Sequence, residues 1–360
     1  MNQRSYSEME LSIPGTCELP GLGSAERFSQ AIPRVTVIVC TRDRPAELEN
    51  CLAALEKENY PSFRVLVVDN ATGTKARDIC RPREITCIHA PGPGVGRAMN
   101  VGARAARGDV IAFIDDDAVP EPGWLDALVR DFADPTVAAV TGRIRFMKAQ
   151  DDSRAMSTEE APDGQICRPR GSFDKGTRDW FSVACFGGIG DGSNMAFRRN
   201  LFTELMAFDE RLGRGRVLEG GVEHVAFMSV IARGYRVTHV PDAVVRHPFP
   251  ATPALWRTRR ARQLRTSIAY VMFLWVEFPK NRADLLRFLY RAVLKRILRM
   301  ATGAPRPVHL SRWRALTAMA GGPLLYWKAR REWTAATGNV EALQTSAPDW
   351  PKKKPEQVGR

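Results

Sequence analysis

The stretch from Val110 to Asp117 constrains the fold of this chain most, because five apolar residues run directly into three adjacent carboxylates. An apolar run of this length predicts a buried strand, and the Pro and Gly residues at 120–123 indicate where it ends. Alternation along an extended chain places Asp115 and Asp117 on one side and Asp116 on the other. Three like charges repel one another, and a hard divalent cation offsets that repulsion by binding carboxylate oxygens. We therefore predict a metal site here, with a solvated acidic turn as the structural alternative.

Apolar runs and helical patterns alternate around this stretch. Strands are predicted at residues 35–40, 65–68 and 85–88, and helices are predicted after the first and the third of them. This alternation predicts an α/β fold with a mostly parallel sheet flanked by helices, whose ligands gather at the carboxyl ends of the strands. The polar residues at those ends are Thr41, Asp43, Asp69 and Asp115 to Asp117.

A glycine-rich loop, Gly92-x-Gly94-x-Gly96, follows the third predicted strand and opens a helix. A dinucleotide-binding site has a similar pattern, but its third glycine would stand where Arg97 is, and the loop would follow the first strand of the unit. We favour a loop that lets the backbone and Arg97 approach a phosphate group.

A second glycine-rich segment runs from Phe186 to Arg199 and contains Gly192, Ser193 and Asn194. Glycines beside small polar residues suit a backbone that passes close to a bound ligand. We predict that these three residues lie next to such a ligand, and a plain flexible loop is the alternative.

The composition limits the class of protein. A net charge of +13 and a pI near 9.8 favour an anionic partner, such as a nucleotide, a nucleic acid or a membrane surface. The seven cysteines form no Cys-x-x-Cys pair, which favours reduced thiols in a cytoplasmic protein over a disulfide framework or a zinc site. We find no signal-peptide pattern and no apolar run near the roughly 20 residues needed to span a bilayer.

The region from 251 to 337 is rich in arginine and predicts basic amphipathic helices. Four of its cations share one stripe of a predicted helix: Arg287, Arg291, Lys295 and Arg299. Such a stripe favours an anionic membrane surface, and the alternative is a solvated face on helices packed against the rest of the protein. No nucleic-acid motif accompanies the charge, so we expect no nucleic-acid partner. Residues 1–32 are expected to be loosely ordered and residues 338–360 disordered.

A series of motifs runs in a fixed order through residues 33–250. The motifs are Thr41–Pro45, Val67–Asn70, Gly94–Asn100, Phe113–Asp117, Gly192–Ala196, and the stretch from Glu223 through Gly234–Val237 to Pro241 and His247. Each motif is weak alone, but their order and spacing resemble the family 2 glycosyltransferases. The resemblance implies that residues 33–250 form a catalytic domain of the GT-A fold, and that the segment with Gly192, Ser193 and Asn194 lies at the donor and the acceptor.

Six residues form the expected nucleotide-binding group: Thr41, Asp43, Asp69, Arg97, Asp115 and Asp116. The resemblance implies that Thr41, Asp43 and Asp69, which stand at or after the ends of the first two strands, hold the nucleotide base. It also implies that Asp115 meets the ribose. Asp117 would coordinate a metal ion, Mn²⁺ or Mg²⁺, that bridges the diphosphate, and His247 would be a further contact to the metal or the diphosphate. A metal ion in this place offsets the charge that grows on the leaving diphosphate.

The expected general base lies in a pair of residues, Glu223 and His224. The usual pattern of the family is an acid followed by Asp, with the Asp most often the base, and here His224 takes the second place. Glu223 is one candidate for the base. His224 is the other, since an unperturbed imidazole has a pKa near 6.5. A third reading is that the pair has decayed and the chain no longer transfers sugar.

These residues together predict an inverting, metal-dependent glycosyltransferase on the inner face of the cell membrane. Its donor would be a nucleotide sugar, with uridine expected first and thymidine or guanosine left open. Its acceptor would be a hydroxyl group of a glycan or of a lipid-linked molecule. The alternative from another class is a non-catalytic protein of the same fold that binds nucleotide sugars or, through its basic region, a membrane.

Overall fold

The computed structural model describes residues 32–71, 73, 75–147, 168–205, 207–248, 253–301 and 312–337. The predictions for the N-terminal segment, apart from Ile32, and for the C-terminal tail therefore concern residues outside this part of the chain. Residues 148–167 also lie outside it.

Nine strands of the described residues form one sheet. The strands are β1 (Val35–Thr41), β2 (Phe63–Asp69), β3 (Thr86–His89), β4 (Val110–Asp115), β5 (Val119–Pro120), β6 (Val137–Met147), β7 (Gly171–Phe173), β8 (Asn194–Arg198) and β9 (Arg236–Pro248). Their order across the sheet is β3-β2-β1-β4-β8-β6-β9-β5, and β7 pairs with β9. The strands from β3 to β4 are parallel, as the sequence predicts, and the sheet beyond them is mixed.

Helices cover both faces of this sheet. They are α1 (Pro45–Leu55), α2 (Lys75–Cys80), α3 (Val95–Ala105), α4 (Trp124–Val129), α5 (Trp180–Cys185), α6 (Arg199–Leu205), α7 (Val222–Ala232), α8 (Pro253–Glu277), α9 (Arg282–Ala301) and α10 (Arg312–Thr337). Helix α1 begins at a proline, whose fixed φ suits the first helical position, and it buries the predicted stripe of Leu48, Leu52 and Leu55. None of the helices, within the described ranges, combines the length and the apolar character needed to cross a bilayer.

The register of the parallel strands gathers their polar ends at one edge of the sheet. Thr41 pairs with Asp69 across β1 and β2, and Cys40 pairs with Asp115 across β1 and β4. Parallel strands end on the same side, so Asp69 at the end of β2 and Asp115 at the end of β4 lie at the same edge, on either side of β1. The predicted ligand edge is therefore present.

The segment from Phe186 to Arg199, which the sequence predicts to pass close to a ligand, ends in strand β8, and its ligand contact stays a prediction. The last part of that segment is a central strand between β4 and β6, antiparallel to both, and all five of its residues are buried. A strand buried on both faces shows no alternation of polar and apolar residues, and Asn194 and Arg198 at its two ends leave an apolar run of only three residues. The Arg198 guanidinium is accommodated because it donates hydrogen bonds to the carbonyls of Val137, Phe132 and Asp134 at 2.6–2.7 Å.

The C-terminal helices share the apolar core on one face of the sheet. Phe273 and Leu274 of α8 and Tyr326 of α10 are buried in the same cluster as Phe113 and Phe197 of the central strands. The helices from 253 onward thus pack against the rest of the protein, which is the alternative that the sequence left open for this region.

A buried ionic network ties α8 and α10 to the loop before α7. Arg211 lies 2.6 Å from Asp209 and 2.8 Å from Glu277, and the Tyr326 hydroxyl donates to Glu277 at 2.8 Å. Arg211 also lies 4.8 Å from the centre of the Phe273 ring. A buried charge is tolerated when it is paired and hydrogen-bonded, so this network fixes the loop relative to both helices.

Candidate metal and catalytic site

Two aspartates and one histidine form a cluster at the ligand edge of the sheet. Asp115 ends β4, and Asp117 lies two residues later. His247 stands near the end of β9, which pairs with β5, the short strand that follows Asp117. One ligand atom from each residue lies within 4.8 Å of the other two. His247 Nε2 is 3.1 Å from Asp117 Oδ1 and 3.6 Å from Asp115 Oδ2. Asp117 and His247, the two residues that the sequence predicts to bind a metal ion, thus lie together with Asp115, and metal binding itself stays a prediction.

The donor set of this cluster fits a divalent cation. Burial disfavours protonation of His247, but hydrogen bonds and charges from the two carboxylates outweigh burial and raise the pKa of His247 to about 10. The carboxylates therefore attract positive charge strongly. Asp117 Oδ1 is buried and lies 3.1 Å from His247 Nε2, so the imidazole and this oxygen face the same small space. Carboxylate oxygens beside an imidazole suit Mn²⁺, and carboxylate oxygens suit Mg²⁺.

Asp116 points away from the cluster, as the predicted alternation requires. Thr41 donates its hydroxyl hydrogen to Asp116 Oδ2 at 2.8 Å, and Arg44 Nη1 lies 3.3 Å from Asp116 Oδ1. Arg44 Nη1 also donates to Asp117 Oδ2 at 2.6 Å. Burial raises the pKa of Asp116 to about 6, although Thr41 and Arg44 act in the opposite direction. These contacts hold the acidic turn in place. The expected contacts of Thr41 and Asp116 with a nucleotide stay predictions.

Arg44 is a residue that sequence reasoning missed. It stands inside the motif Thr41–Pro45, but nothing in that motif shows that it reaches residues 116 and 117. The signal was present in the repulsion among three neighbouring aspartates, which calls for a nearby cation as well as a metal ion.

The other residues expected to bind the nucleotide base, Asp43 and Asp69, also lie at this edge. Asp69 is buried, and its Oδ1 accepts a hydrogen bond from the backbone of Ala71 at 3.0 Å. His89 Nδ1 lies 3.9 Å from Asp69 Oδ2. Asp43 has a φ of 57°, and its side chain is well exposed. The positions agree with a nucleotide pocket, and the contacts to a base stay predictions.

Arg97 has a structural task in the glycine-rich loop. Its Nη1 donates to the carbonyl oxygens of Ala90 and Pro91 at 3.1 and 3.0 Å, which fixes the entry to the loop. Gly94, with a φ of 104°, precedes the first residue of α3. The expected contact between Arg97 and a phosphate stays a prediction, since a guanidinium has five donors and Nη1 carries only two.

Glu223 and His224 lie in the first turn of α7. Gly221 precedes this helix with a φ of 81°, a conformation that favours glycine. Glu223 Oε1 and His224 Nε2 are 3.6 Å apart, and both side chains are about one-fifth exposed. Burial raises the pKa of Glu223, His224 opposes this, and the charges of Asp191 and Asp115 add to the rise. Glu223 is therefore a stronger base than an exposed glutamate.

The second glycine-rich segment forms the wall beside this pair. A Cβ added to Gly192 would lie 3.7 Å from the Glu223 carboxylate, and one added to Gly187 would lie 3.5 Å from His224 Nε2. Ser193 is buried and donates its hydroxyl hydrogen to Asp191 at 3.0 Å. The glycines of this segment thus face the candidate base, and their expected approach to a ligand stays a prediction.

Asn194, in the same segment, has a structural role. Its Nδ2 donates to the carbonyls of Arg143 and Ala243, and its Oδ1 accepts from Trp124 Nε1, all at 2.8–2.9 Å. The side chain is fully buried, and both of its donors are used. It joins β6, β9 and α4, so the expected direct contact with a ligand has no free N–H donor to supply it.

Tyr270 of α8 closes the other side of the pair and was missed by sequence reasoning. A Cβ on Gly221 would lie 2.5 Å from the Tyr270 ring, and the centre of that ring is 6.3 Å from the centre of the His224 imidazole. The sequence contained a signal in the apolar run from Ile268 to Val276, which showed that α8 had a face to bury. It contained no sign of the surface against which that face packs.

Comparison with known proteins adds a family and relatives. Residues 36–206 match the family model described as Glycosyl transferase family 2. A Pre-mycofactocin glycosyltransferase of Mycobacterium tuberculosis (strain CDC 1551 / Oshkosh) is 26% identical over 233 residues, which are 63% of this chain and 45% of that protein. Succinoglycan biosynthesis protein ExoM of Rhizobium meliloti (strain 1021) is 27% identical over 238 residues, 63% of this chain and 71% of ExoM. The alignment thus spans about half the length of the first of these relatives.

Among solved structures, a mannosyltransferase from Pyrobaculum calidifontis is similar over nearly the whole chain. Its structure, in complex with GDP-Man and Mn²⁺, aligns with a TM-score of 0.51 at 22% identity and covers 90% of this chain and 93% of that one. At this level of identity the likeness concerns the fold. It confirms the GT-A fold that the sequence motifs predict.

Proposed function

We propose that this chain, whose residues 36–206 match the model of glycosyl transferase family 2, moves a sugar from a nucleotide-activated donor to a hydroxyl group. The observation that supports this most is the pairing of a cation-attracting cluster with a candidate base. Asp115, Asp117 and His247 converge at the ligand edge. The charge of Asp115 also reaches Glu223 and raises its pKa, so the two groups lie within electrostatic reach of each other.

The cluster would bind the donor diphosphate together with a metal ion. Asp115, Asp117 and His247 would hold Mn²⁺ or Mg²⁺, which supplies Lewis-acid stabilisation of the charge on a leaving diphosphate. Arg44 and Thr41 keep the acidic turn in one conformation, so the carboxylates need little rearrangement when a ligand binds.

Glu223 acts as the general base in this proposal. Its carboxylate takes the proton of the acceptor hydroxyl, whose oxygen attacks the anomeric carbon from the side opposite the diphosphate. The new bond from carbon to oxygen forms as the bond from that carbon to the diphosphate oxygen breaks. The anomeric configuration therefore inverts, and a nucleoside diphosphate leaves. His224, 3.6 Å away, orients Glu223 or contacts the acceptor.

A thermal-shift panel tests the donor and the metal together. The panel holds UDP-, dTDP- and GDP-sugars, each with and without Mn²⁺ or Mg²⁺, because uridine is our first expectation and the similar mannosyltransferase holds GDP-Man. A ligand at about 100 times its Kd stabilises a protein by about 2.7 kcal/mol. We expect one nucleotide class to raise the unfolding temperature, and to do so only with the metal ion.

Turnover separates the enzyme from the non-catalytic alternative. Release of nucleoside diphosphate from the stabilising donor is measured with wild type and with Glu223→Gln. An enzyme shows release that the substitution reduces. A protein that binds the donor but releases no more diphosphate than the variant is a binding protein of the same fold. A protein that no nucleotide sugar stabilises contradicts both readings.

We also propose that α9 contacts an anionic membrane surface. Leu286, Tyr290 and Val293 recur at helical spacing on α9 and are 53%, 69% and 57% exposed. Arg287 pairs with Asp284 at 2.9 Å, and Arg291 pairs with Asp179 of the sheet-bearing part of the chain. The side chains of Lys295 and Arg299 lie outside the described residues. The structure thus adds an exposed apolar stripe to the basic stripe that the sequence predicted.

Liposome co-sedimentation tests this contact. Wild-type protein should bind vesicles that contain anionic lipid, and changing Leu286, Tyr290 and Val293 to Ser should release it. Changing the four cations of the basic stripe to Gln should also weaken binding, by roughly 1 kcal/mol per residue that faces the lipid. Wild-type protein that ignores anionic vesicles at low salt would contradict the proposal. We expect the membrane to be the inner face of the cell membrane.

A further inference from the structure

Arg216, in the loop before α7, lies directly on the first glycine-rich loop. A Cβ on Gly94 would be only 2.5 Å from Arg216 Nε, and a Cβ on Gly215 would be 3.1 Å from the backbone nitrogen of Gly94. Val95 donates its backbone hydrogen to the carbonyl of Arg214 at 3.0 Å. Two loops that are far apart in sequence therefore form one surface at the start of α3.

The guanidinium of Arg216 lacks the carboxylate partners that the nearby Arg211 has. Arg211 is neutralised by Asp209 and Glu277 at 2.6 and 2.8 Å. Arg216 has no salt bridge within the described part of the chain, and its Nε–H is buried there without a hydrogen-bond partner. An unpaired buried donor on a cation is unfavourable, and an anionic oxygen is the group that relieves it.

An aromatic ring from the C-terminal helices holds this guanidinium in position. The guanidinium carbon of Arg216 lies 5.6 Å from the centre of the Trp333 ring of α10. A cation over an indole face is attracted electrostatically and is restricted in its orientation. Arg216 is thus confined between the ring and the backbone of Gly94, and α10 forms part of the surroundings of the glycine-rich loop.

A second arginine reaches the same surface from the ligand edge. A Cβ on Gly215 would lie 3.9 Å from Arg42 Nη1, and Arg42 directly follows β1. The carboxylate nearest to Arg42 is Asp43, at 3.8 Å, and both side chains are more than half exposed. Arg42 and Arg216 therefore bring two weakly neutralised cations to the loop that the sequence predicts to approach a phosphate.

We propose that Arg216 is a diphosphate-binding residue of the donor site, positioned by Trp333 and assisted by Arg42. This inference rests on the proposed function, because the anion it names is the diphosphate of a nucleotide sugar. A guanidinium presents paired donors that match phosphate oxygens. Negative charge grows on the diphosphate as its bond to the sugar breaks, so the contact strengthens during the reaction. The C-terminal helices thus contribute to donor binding through Arg216.

Calorimetric titration with nucleoside phosphates, in the presence of the metal ion, tests the assignment without relying on turnover. The nucleoside used is the one whose nucleotide sugar raises the unfolding temperature of wild type most in the thermal-shift panel. A hydrogen bond to a charged group corresponds to a loss of about 10- to 150-fold in affinity. We expect Arg216→Gln to lose affinity for the nucleoside diphosphate on that scale and to bind the nucleoside itself as wild type does. Trp333→Leu should lose about 2- to 30-fold, the size of a cation–π contact.

The helix α10 provides a matched control. Trp327 stacks with Arg330 at 5.4 Å on the same helix, so Trp327→Leu removes the same kind of contact away from the loop. That variant should bind the diphosphate like wild type. Arg216→Lys retains the charge but loses the planar fork, so it should fall between wild type and Arg216→Gln, and it serves as the test if the Gln variant fails to fold.

The outcomes separate this inference from the proposed function. If wild type binds no nucleoside diphosphate with any metal ion, the proposed function fails, and the diphosphate assignment fails with it. If wild type binds and the Gln, Lys and Trp333→Leu variants bind equally well, the function stands and the assignment of Arg216 is overturned. Loss of affinity for the nucleoside to the same extent as for the diphosphate would also overturn it, since the defect would then be general.

Discussion

The candidate metal cluster (Asp115, Asp117 and His247) and the candidate general-base pair (Glu223 and His224) are built differently. Asp115 and Asp117 follow one strand, and Arg44 and Thr41 hold the turn at 2.6–3.3 Å. Glu223 and the histidine beside it stand on the first turn of a helix, and their nitrogen and oxygen are 3.6 Å apart, beyond a good hydrogen bond. The acidic turn at the metal cluster is thus held by short contacts to Thr41 and Arg44.

Glu223 and His224 are positioned by neighbouring segments that pack around them, not by short hydrogen bonds. The glycine-rich segment faces Glu223, since a Cβ added to Gly192 would lie 3.7 Å from its carboxylate, and Tyr270 of α8 packs on Gly221. Those segments come from parts of the chain on either side of α7 in sequence. The comparison teaches that charge repulsion requires tight local pairing at the metal cluster, whereas a base must keep its lone pair available for a substrate proton.

Removal of a metal ligand should have the largest effect. Asp117→Asn keeps the shape of the side chain but loses the charge, so metal-dependent binding of nucleoside diphosphate should disappear while the fold remains. Asp115→Asn should weaken nucleotide binding even without metal. Calorimetry with and without Mn²⁺ measures both, and unchanged metal-dependent binding in Asp117→Asn would rule out Asp117 as a ligand.

Removal of the base should have the next largest effect. Glu223→Gln should lower turnover by about 10²- to 10⁴-fold while donor affinity stays near wild type, because a general base acts on the acceptor. His224→Ala should lose less, and His224→Asp, which restores the common pattern, should retain activity. Initial rates and donor titrations measure these effects. Full turnover in Glu223→Gln with none in His224→Ala would reverse the two roles.

Thr41→Val should have a smaller effect, on stability. The sequence places Thr41 at the nucleotide, whereas the structure shows its hydroxyl donating to buried Asp116 at 2.8 Å. Hydrogen bonds to charged groups contribute about 1.5–3 kcal/mol, so the free energy of unfolding in urea should fall by that amount. Thr238→Val is the matched control, because the Thr238 hydroxyl is buried without a partner among the described residues. A variant of Thr41 that is fully stable but binds nucleotide poorly would favour the sequence reading.

The pH dependence should show the smallest effect, a displaced acid limb. A general base works when deprotonated, so turnover falls as the pH falls through its pKa. Burial raises the pKa of Glu223, which moves this fall above the ordinary value of 4.5. An imidazole base would place the limb near 6.5. Since the two limbs can coincide, the profile of His224→Ala decides, and the limb should persist in that variant.

The sequence predicts the parts of this molecule whose pattern is local. The apolar run before Asp115 forms β4, and the leucines at helical spacing form the buried face of α1. The polar strand ends gather at one edge because parallel strands must end together. The two metal-binding residues predicted from the motif series, Asp117 and His247, come within 3.1 Å of each other although 130 residues separate them.

The rest could not be predicted because it depends on contacts between distant segments. Arg44 reaches the acidic turn, and Arg216 reaches Gly94, and neither sequence neighbourhood shows the partner. Strand β8 was hidden because it is short, buried on both faces and contains Arg198. Asn194 stands in a segment that predicts ligand contact, yet its side-chain amide holds β6, β9 and α4 together, by donating to the first two and accepting from the third.

The packing of Tyr270 on Gly221 has a consequence for protein engineering. A polypeptide cut after residue 250 would contain the family-matching half but would uncover the apolar residues that Phe273 and Tyr326 now shield. Newly exposed apolar patches of this kind promote aggregation. A chimaera between this chain and a relative should therefore carry α8 and α10 along with α7, since these helices form a single exchangeable unit.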